Sequence, residues 1–109
     1  MTAKQFVESA KLGVISMPDP ERELSGAYVG DLLSWVMGRA DANNVWITIM
    51  SNANIVAVAT LAGVGCILLS EGVTLDSEVA SLAKEKGINV FTTDLPTYEA
   101  AVMVSGIVS

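Results

Sequence analysis

The chain has 109 residues, of which 51% are hydrophobic and 17% charged, with a net charge of −6 and a mean hydropathy of +0.51. Its six basic residues form no cluster, which argues against nucleic-acid binding, because that function depends on clustered positive charge. Histidine is absent and the single cysteine lies in an apolar run, so an internal disulfide is excluded and we expect no metal or other cofactor.

The amino-terminal segment predicts a helix that is capped by Thr2 and closed by Gly13. It has no apolar segment of the kind that a secretory signal needs, so the cytoplasm is the expected compartment. A strand over residues 14–17 follows, and a Pro-Asp-Pro turn ends it, because proline fixes φ and lacks an N–H donor. Residues 24–29 predict a second strand, and Asp31 is the predicted N-cap of the next helix.

The stretch 44–70 is the centre of the predicted fold, and it reads as strand, polar turn, buried helix, glycine turn and strand. Within it, residues 55–69 carry no charge, but this run is too short for a membrane span, which needs about 20 apolar residues. Two glycines also interrupt the run, as expected at the end of a helix. The stretch therefore predicts a right-handed βαβ crossover with strands over 45–50 and 66–69, and no membrane association.

Asp76 is predicted to cap a helix that Gly87 ends in a left-handed conformation. A strand over residues 88–91 follows, and the last helix begins near Pro96. Beyond Glu99 this helix is apolar almost all round, which is typical of a helix that is buried in a core or an interface.

The alternation of five strands with helices indicates an α/β fold, in which a largely parallel five-stranded sheet is flanked by helices. Residues 1–109 are predicted to form one such domain. We expect so apolar a chain to cover part of its surface against a partner, and self-association is the simplest arrangement. The last helix supplies the predicted interface of a homodimer through Met103, Val104 and Ile107.

Residues 21–37, ERELSGAYVGDLLSWVM, resemble the signature of the DRTGG domain family. Glu21-Arg22 stands where the family has Asp-Arg, and Ser25-Gly26-Ala27 stands where it has Thr-Gly-Gly. The likeness continues through WITIMSNANIVAVATL and ends with GINVFTTDLPTYEAA, so that it covers about residues 14–104.

This resemblance implies a fold similar to that of the N-terminal domain of HPr kinase/phosphorylase. Members of the family occur alone at about this length or as modules of larger chains, among them phosphotransacetylases and pyrophosphatases with nucleotide-sensing CBS domains. Stand-alone members often accompany genes for iron-only hydrogenases and ferredoxins. Because the family has no established activity of its own, the resemblance implies a non-catalytic regulatory or assembly role.

Polar side chains follow the predicted strands, at the edge where parallel sheets hold their ligands. Two hypotheses account for them. They form a site for a nucleotide or a phosphometabolite, which makes the protein a small-ligand sensor, or they are the caps and turns that such residues form in any α/β protein. Neither standard phosphate-binding motif is present. The candidate ligand residues are Asp31, Ser51, Asn52, Asn54, Thr92 and Thr93.

Three further residues or pairs bear on chemistry. Asp31 and Asp94 are a candidate carboxylate pair, but no base, nucleophile or metal partner accompanies them, so the sequence predicts no enzyme. Arg22 is predicted to form an ion pair with a neighbouring glutamate, on the surface or at an interface. Cys66 is predicted to be a small buried apolar residue rather than a reactive thiol.

Overall fold

A computed structural model describes residues 1–109. Five strands and five helices alternate along the chain, except that the second strand follows the first without a helix between them. The strands are β1 (Gly13–Ser16), β2 (Ala27–Val29), β3 (Val45–Thr48), β4 (Cys66–Leu69) and β5 (Val90–Thr92). The helices are α1 (Ala3–Ala10), α2 (Leu33–Arg39), α3 (Asn54–Ala62), α4 (Ser77–Glu85) and α5 (Thr97–Ile107).

The strands form one sheet in the order β1-β5-β4-β3-β2. Strands β2, β3, β4 and β5 run parallel to one another, whereas β1 is antiparallel to β5 at one margin of the sheet. The predicted crossover is present as β3-α3-β4, with Val45 opposite Cys66 in the parallel ladder. The predicted α/β fold with a largely parallel five-stranded sheet is therefore confirmed.

The sheet is covered on both faces. Helices α1 and α5 pack on one face, where Phe6 of α1 contacts Phe91 of β5 edge to face with ring centroids 6.2 Å apart. Helices α2, α3 and α4 cover the other face, where the largest buried side chain is Trp46 of β3. All residues of β3 and β4 are buried, which is why these two strands read as unbroken apolar runs rather than alternating ones.

Several predicted helix ends are confirmed, because their capping partners lie close in sequence. Thr2 and Gln5 form a reciprocal capping box at the start of α1. The carboxylate of Asp76 accepts the Val79 N–H at 3.0 Å, and Gly87 is left-handed with φ of 75°. The last helix also begins after Pro96, as predicted.

The prediction that Gly13 closes α1 is wrong. Lys11 ends the helix in a left-handed conformation with φ of 53°, and Gly13 is the first residue of β1. Gly13 lies opposite Thr92 in the antiparallel ladder, where a side chain on residue 13 would collide with the Thr92 hydroxyl. The glycine therefore permits close strand pairing rather than a helix stop.

Strand β2 is shorter than predicted, because residues 24–26 bind loops instead of a neighbouring strand. The Leu24 N–H donates to the Met1 carbonyl and the Ser25 N–H donates to the Asn43 carbonyl. Gly26 then turns the chain with φ of 67°, and β2 begins at the next residue.

The single thiol is enclosed by the core. Cys66 is fully buried in β4, on the face covered by α1 and α5, which confirms its predicted role as a small apolar residue. Burial raises the pKa of the Cys66 thiol far above its ordinary value, and the Arg22 guanidinium offsets only part of that increase.

We expect the Cys66 thiol to react with Ellman's reagent only after unfolding, because the native state excludes both the reagent and the thiolate. The folded pKa lies above the unfolded one, so the contribution of this group to stability is complete below about pH 8.5 and declines above it. Kinetics of thiol modification with and without urea test this, with Cys66→Ala as the blank. Rapid stoichiometric reaction in native buffer would contradict it.

Candidate functional site

The turns that follow β2, β3, β4 and β5 meet along one edge of the sheet, because these strands are parallel; we call it the carboxyl edge. The six candidate ligand residues all lie there, but they are spread across the width of the sheet. The turn after β2 and the turn after β5 are separated by three strand spacings of about 4.8 Å, or about 14 Å in all. The hypothesis of an Asp31–Asp94 carboxylate pair is therefore wrong.

Asp31 links two strands instead of capping a helix. Its Oδ1 accepts hydrogen bonds from the Thr48 hydroxyl at 2.8 Å and from the Ile49 N–H at 3.0 Å. Helix α2 begins after Leu32 without a side-chain cap, so the predicted N-cap role is wrong. The donors at the end of β3 occupy the carboxylate that would otherwise cap α2. Asp31 thus fastens the turn after β2 to β3.

The turn between β3 and α3 holds three of the candidate residues. The Asn52 side-chain oxygen accepts the Asn54 N–H at 2.9 Å, which is a local turn that opens α3. Ser51 and Asn54 are exposed, and neither side chain makes a hydrogen bond within the chain. The structure thus uses one of these polar groups for the fold and leaves two facing solvent.

The turns after β4 and β5 are joined to each other and to the start of α5. The Ser70 hydroxyl lies 2.7 Å from the Thr97 hydroxyl, and the Glu71 carboxylate accepts the Thr97 N–H at 2.8 Å. The Thr93 hydroxyl accepts the Leu95 N–H at 3.3 Å. Glu71, which the sequence did not identify as an N-terminal partner of α5, lies 26 residues before the group that it accepts.

A cleft of about 460 Å³ lies beside the end of β5. Thr92, Thr93 and Asp94 line it together with Lys11, which ends α1, and Gly13, which begins β1. Lys11 and Gly13 reach this place because β1 is antiparallel to β5, so its first residues lie at the carboxyl edge. Sequence reasoning missed Lys11, because nothing local in the sequence shows which strand β1 pairs with. The cleft is the one place where a cation joins the predicted ligand residues.

The charge at the carboxyl edge does not favour phosphate. Asp31, Glu71 and Asp94 lie along it, and Lys11 is the only basic residue in the turns that form it. The carboxylates repel an anionic ligand. Basic residues elsewhere on the surface, more than about 10 Å away, are largely screened at physiological salt and do not offset that repulsion. Lys11 is therefore the one cationic side chain in these turns that an anion could contact.

The first part of the signature segment, residues 21–26, lies at the opposite, amino edge of the sheet, where it joins three loops. Arg22 donates through Nε to the Asn43 side-chain oxygen and through Nη2 to the Gly63 carbonyl, both at 2.9 Å. Asn43 precedes β3 and Gly63 precedes β4, so the guanidinium connects the entrances of two central strands to the segment that precedes β2. The predicted pairing of Arg22 with a glutamate is wrong, since its nearest carboxylate is Asp19 at 3.9 Å.

The residues after Arg22 continue this junction. The Asn44 amide donates to the Ser25 carbonyl at 2.8 Å, and the Gly26 N–H donates to the carbonyl of Ser109 at 2.9 Å. Gly65 lies close enough to the Asn43 carbonyl that an added Cβ would come within 2.9 Å of its oxygen. These contacts show that Arg22, Ser25 and Gly26 of the signature segment stabilise the fold by holding neighbouring loops together.

The predicted interface residues of α5 have different surroundings. Val104 is fully buried and contacts the core, whereas Met103 and Ile107 are partly buried and pack against the same core. The apolar side chains that α5 exposes most are Tyr98, at 76%, and Val102, at 54%. The interface assignment stays a prediction, and the surface available for it lies around these last two residues.

Two structural findings bear on other classes of function. No group of three or more His, Cys, Asp or Glu side chains is placed so as to hold a metal ion. None of the five helices combines the length and the apolar character needed to cross a lipid bilayer.

The protein is thus an α/β module with a largely parallel sheet. Most of the polar side chains at its strand ends form hydrogen bonds within or between its own turns. The model of the DRTGG domain family matches residues 22–107. The chain belongs to the DRTGG domain family, as its signature segment predicted. A search of curated proteins finds no match.

Among solved structures, the chain is similar to the regulatory region of a Clostridium perfringens pyrophosphatase, which comprises CBS and DRTGG domains and was crystallised with its activator, diadenosine tetraphosphate. The TM-score is 0.73 at 16% sequence identity, and the match covers 94% of this chain. At that identity the likeness shows the fold. This chain matches 45% of the length of the pyrophosphatase chain.

Proposed function

We propose that residues 1–109 form one DRTGG-type domain that acts as a non-catalytic regulatory or assembly module in the cytoplasm, as a homodimer. The observation that carries this proposal is an uncharged, partly apolar surface beside β2 and α5, which includes Val29 at 47% exposure and Val102 at 54%. A surface of this kind on a small domain favours association over isolation. The carboxyl edge offers little competing chemistry, because Asp31, Asn52 and Glu71 already bind backbone groups.

The test is the mass of the purified protein in solution. We expect light scattering coupled to size exclusion to give twice the 11.4 kDa chain at micromolar concentration, with little change between 0.1 and 1 M salt. Apolar contact explains the insensitivity to salt, since salt screens only the charged groups. A mass of one chain across the micromolar range would overturn the proposal.

A second candidate function is a sensor of nucleotides or phosphometabolites. It is favoured by the Lys11 cleft and by the diadenosine tetraphosphate bound to the regulatory region of the related pyrophosphatase. A calorimetric titration with diadenosine tetraphosphate, ATP and AMP separates the two functions. The sensor gives saturable heat that Lys11→Ala abolishes and Lys4→Ala leaves intact, whereas the leading proposal predicts no heat with any of the three.

A further inference from the structure

The outer margin of β2 presents free backbone hydrogen-bonding groups. The Gly26 carbonyl and the Gly30 N–H bond to β3, and alternate residues of a strand point to opposite sides. The N–H and C=O groups of Ala27 and Val29 therefore point away from the sheet. Both residues are exposed, so nothing in the chain covers these four groups.

The two margins of the sheet differ in their protection. Strand β1 carries a register shift between Val14 and Ser16, and a Pro-Asp-Pro turn follows it; both features discourage further strand pairing. Strand β2 has the sequence Ala-Tyr-Val in regular register with β3, without a proline, a charge or a bulge. The β2 margin, which is three residues long, thus has no proline, charge or bulge to discourage further strand pairing.

A groove of about 320 Å³ runs beside this margin, between β2 and α5. Ala27 and Val29 form one wall, and Ala101, Ser105 and Val108 form the other. Residues 24–30 and 100–109 carry no charged side chain, although the chain as a whole has a charge of −6. Two copies that meet at this groove therefore bring no like charges together.

The distances between strands and helices at this margin also fit a second copy of the chain. Helix α5 contacts both β2 and β3. A helix axis midway between these two strands lies about half a strand spacing, or about 2.4 Å, inside β2. Two β2 strands paired about a two-fold axis are about 4.8 Å apart, which places the two α5 helices about 9–10 Å apart. That distance lies within the usual separation of packed helices, about 8–10 Å. The small residues Ala101 and Ser105 on this side of α5 permit such contact.

We propose that the homodimer forms by antiparallel pairing of β2 with β2 of a second copy, about a two-fold axis at Tyr28; this inference rests on the proposed homodimeric function. Ala27 then lies opposite Val29 of the second copy, and the outward N–H and C=O groups form four hydrogen bonds between the chains. The α5 helices pack against each other across the axis. The contact is isologous, so it closes at two copies.

A cysteine pair measures this geometry. Ser105 is exposed beside Ala27 and Val29, so Ser105→Cys places a thiol near the axis on each copy. We expect mild oxidation to link at least half of the chains as covalent dimers. Ser81→Cys is the matched control, because Ser81 is exposed on α4 at the other face and is expected to give less than a tenth of that yield. Cys66 is buried and does not interfere.

A second pair of variants tests the energetics. Val29→Lys places a charge in the neutral groove and is expected to raise the dimer dissociation constant at least tenfold. Val14→Lys is the matched control, because Val14 lies in β1 at the other margin of the sheet and its exposure of 49% is close to the 47% of Val29. A native dimer by light scattering that gives no Ser105→Cys link and ignores Val29→Lys overturns the β2 pairing but leaves the homodimeric function standing. A native monomer overturns both.

Discussion

Replacement of Trp46 by alanine is expected to lower the free energy of unfolding by about 3–5 kcal/mol. Trp46 is the largest fully buried side chain and lies in the core beneath α2, α3 and α4. Its indole N–H donates to the Gly30 carbonyl at 2.9 Å, so the truncation also removes one of the hydrogen bonds that anchor the turn after β2. Domains of this kind are stable by about 5–15 kcal/mol, so the variant is expected to lie near its unfolding threshold.

Urea unfolding followed by far-ultraviolet circular dichroism measures this loss, since the substitution removes a fluorophore. Trp46→Phe keeps most of the ring volume and is expected to lose less than half as much. Trp35→Ala is the control: Trp35 is 51% exposed, and the Arg39 guanidinium lies 3.7 Å from its ring centroid. Such an exposed contact is worth about 0.5–1 kcal/mol. Equal losses at the two tryptophans would contradict the assigned core.

Replacement of Arg22 by alanine is expected to cost about 2–3 kcal/mol, because it leaves the Gly63 carbonyl and the Asn43 side-chain oxygen without their charged donor. Asn43 is also held in a left-handed conformation with φ of 68°, which its contacts must maintain. The variant is expected to loosen the entrances of β3 and β4 before the rest of the sheet. Amide hydrogen exchange at residues 63–66 reads out that local effect.

Arg22→Lys separates charge from geometry at the same position. An ammonium group cannot reproduce the forked arrangement of donors, so lysine is expected to recover less than half of the stability lost in Arg22→Ala. Lys84→Ala is the control for the loss of a basic residue, because Lys84 is exposed on α4. Full recovery by lysine would show that Arg22 acts through its charge alone.

The parts of the fold that follow from the sequence are those that depend on neighbours in the chain. The β3-α3-β4 crossover was predictable, because two buried strands and an uncharged helix lie within 25 residues. Thr2 and Asp76 were predictable as caps, since each accepts an N–H three residues further on. The other groups that could bind these two side chains also lie nearby in sequence, so the local preference for an N-cap residue decides which hydrogen bond forms.

The parts that the sequence leaves open depend on distant partners. Asp31 has the sequence context of an N-cap, but donors 17 and 18 residues away occupy its carboxylate. Arg22 has adjacent glutamates, but it binds groups 21 and 41 residues away. Lys11 joins the candidate cleft only through the antiparallel pairing of β1 with β5. In each case the order of the strands in the sheet places a partner that is distant in sequence next to the residue. Local sequence does not show that order.

The asymmetry between the two margins of the sheet also limits how far assembly proceeds. A sheet with two bare margins would add copies at both ends and grow into a filament, which is a hazard for any open β structure. Here the bulge in β1 and the prolines after it close one end of the sheet. In the dimer that we propose, growth stops once β2 is covered, so the particle is finite and has two identical outer ends.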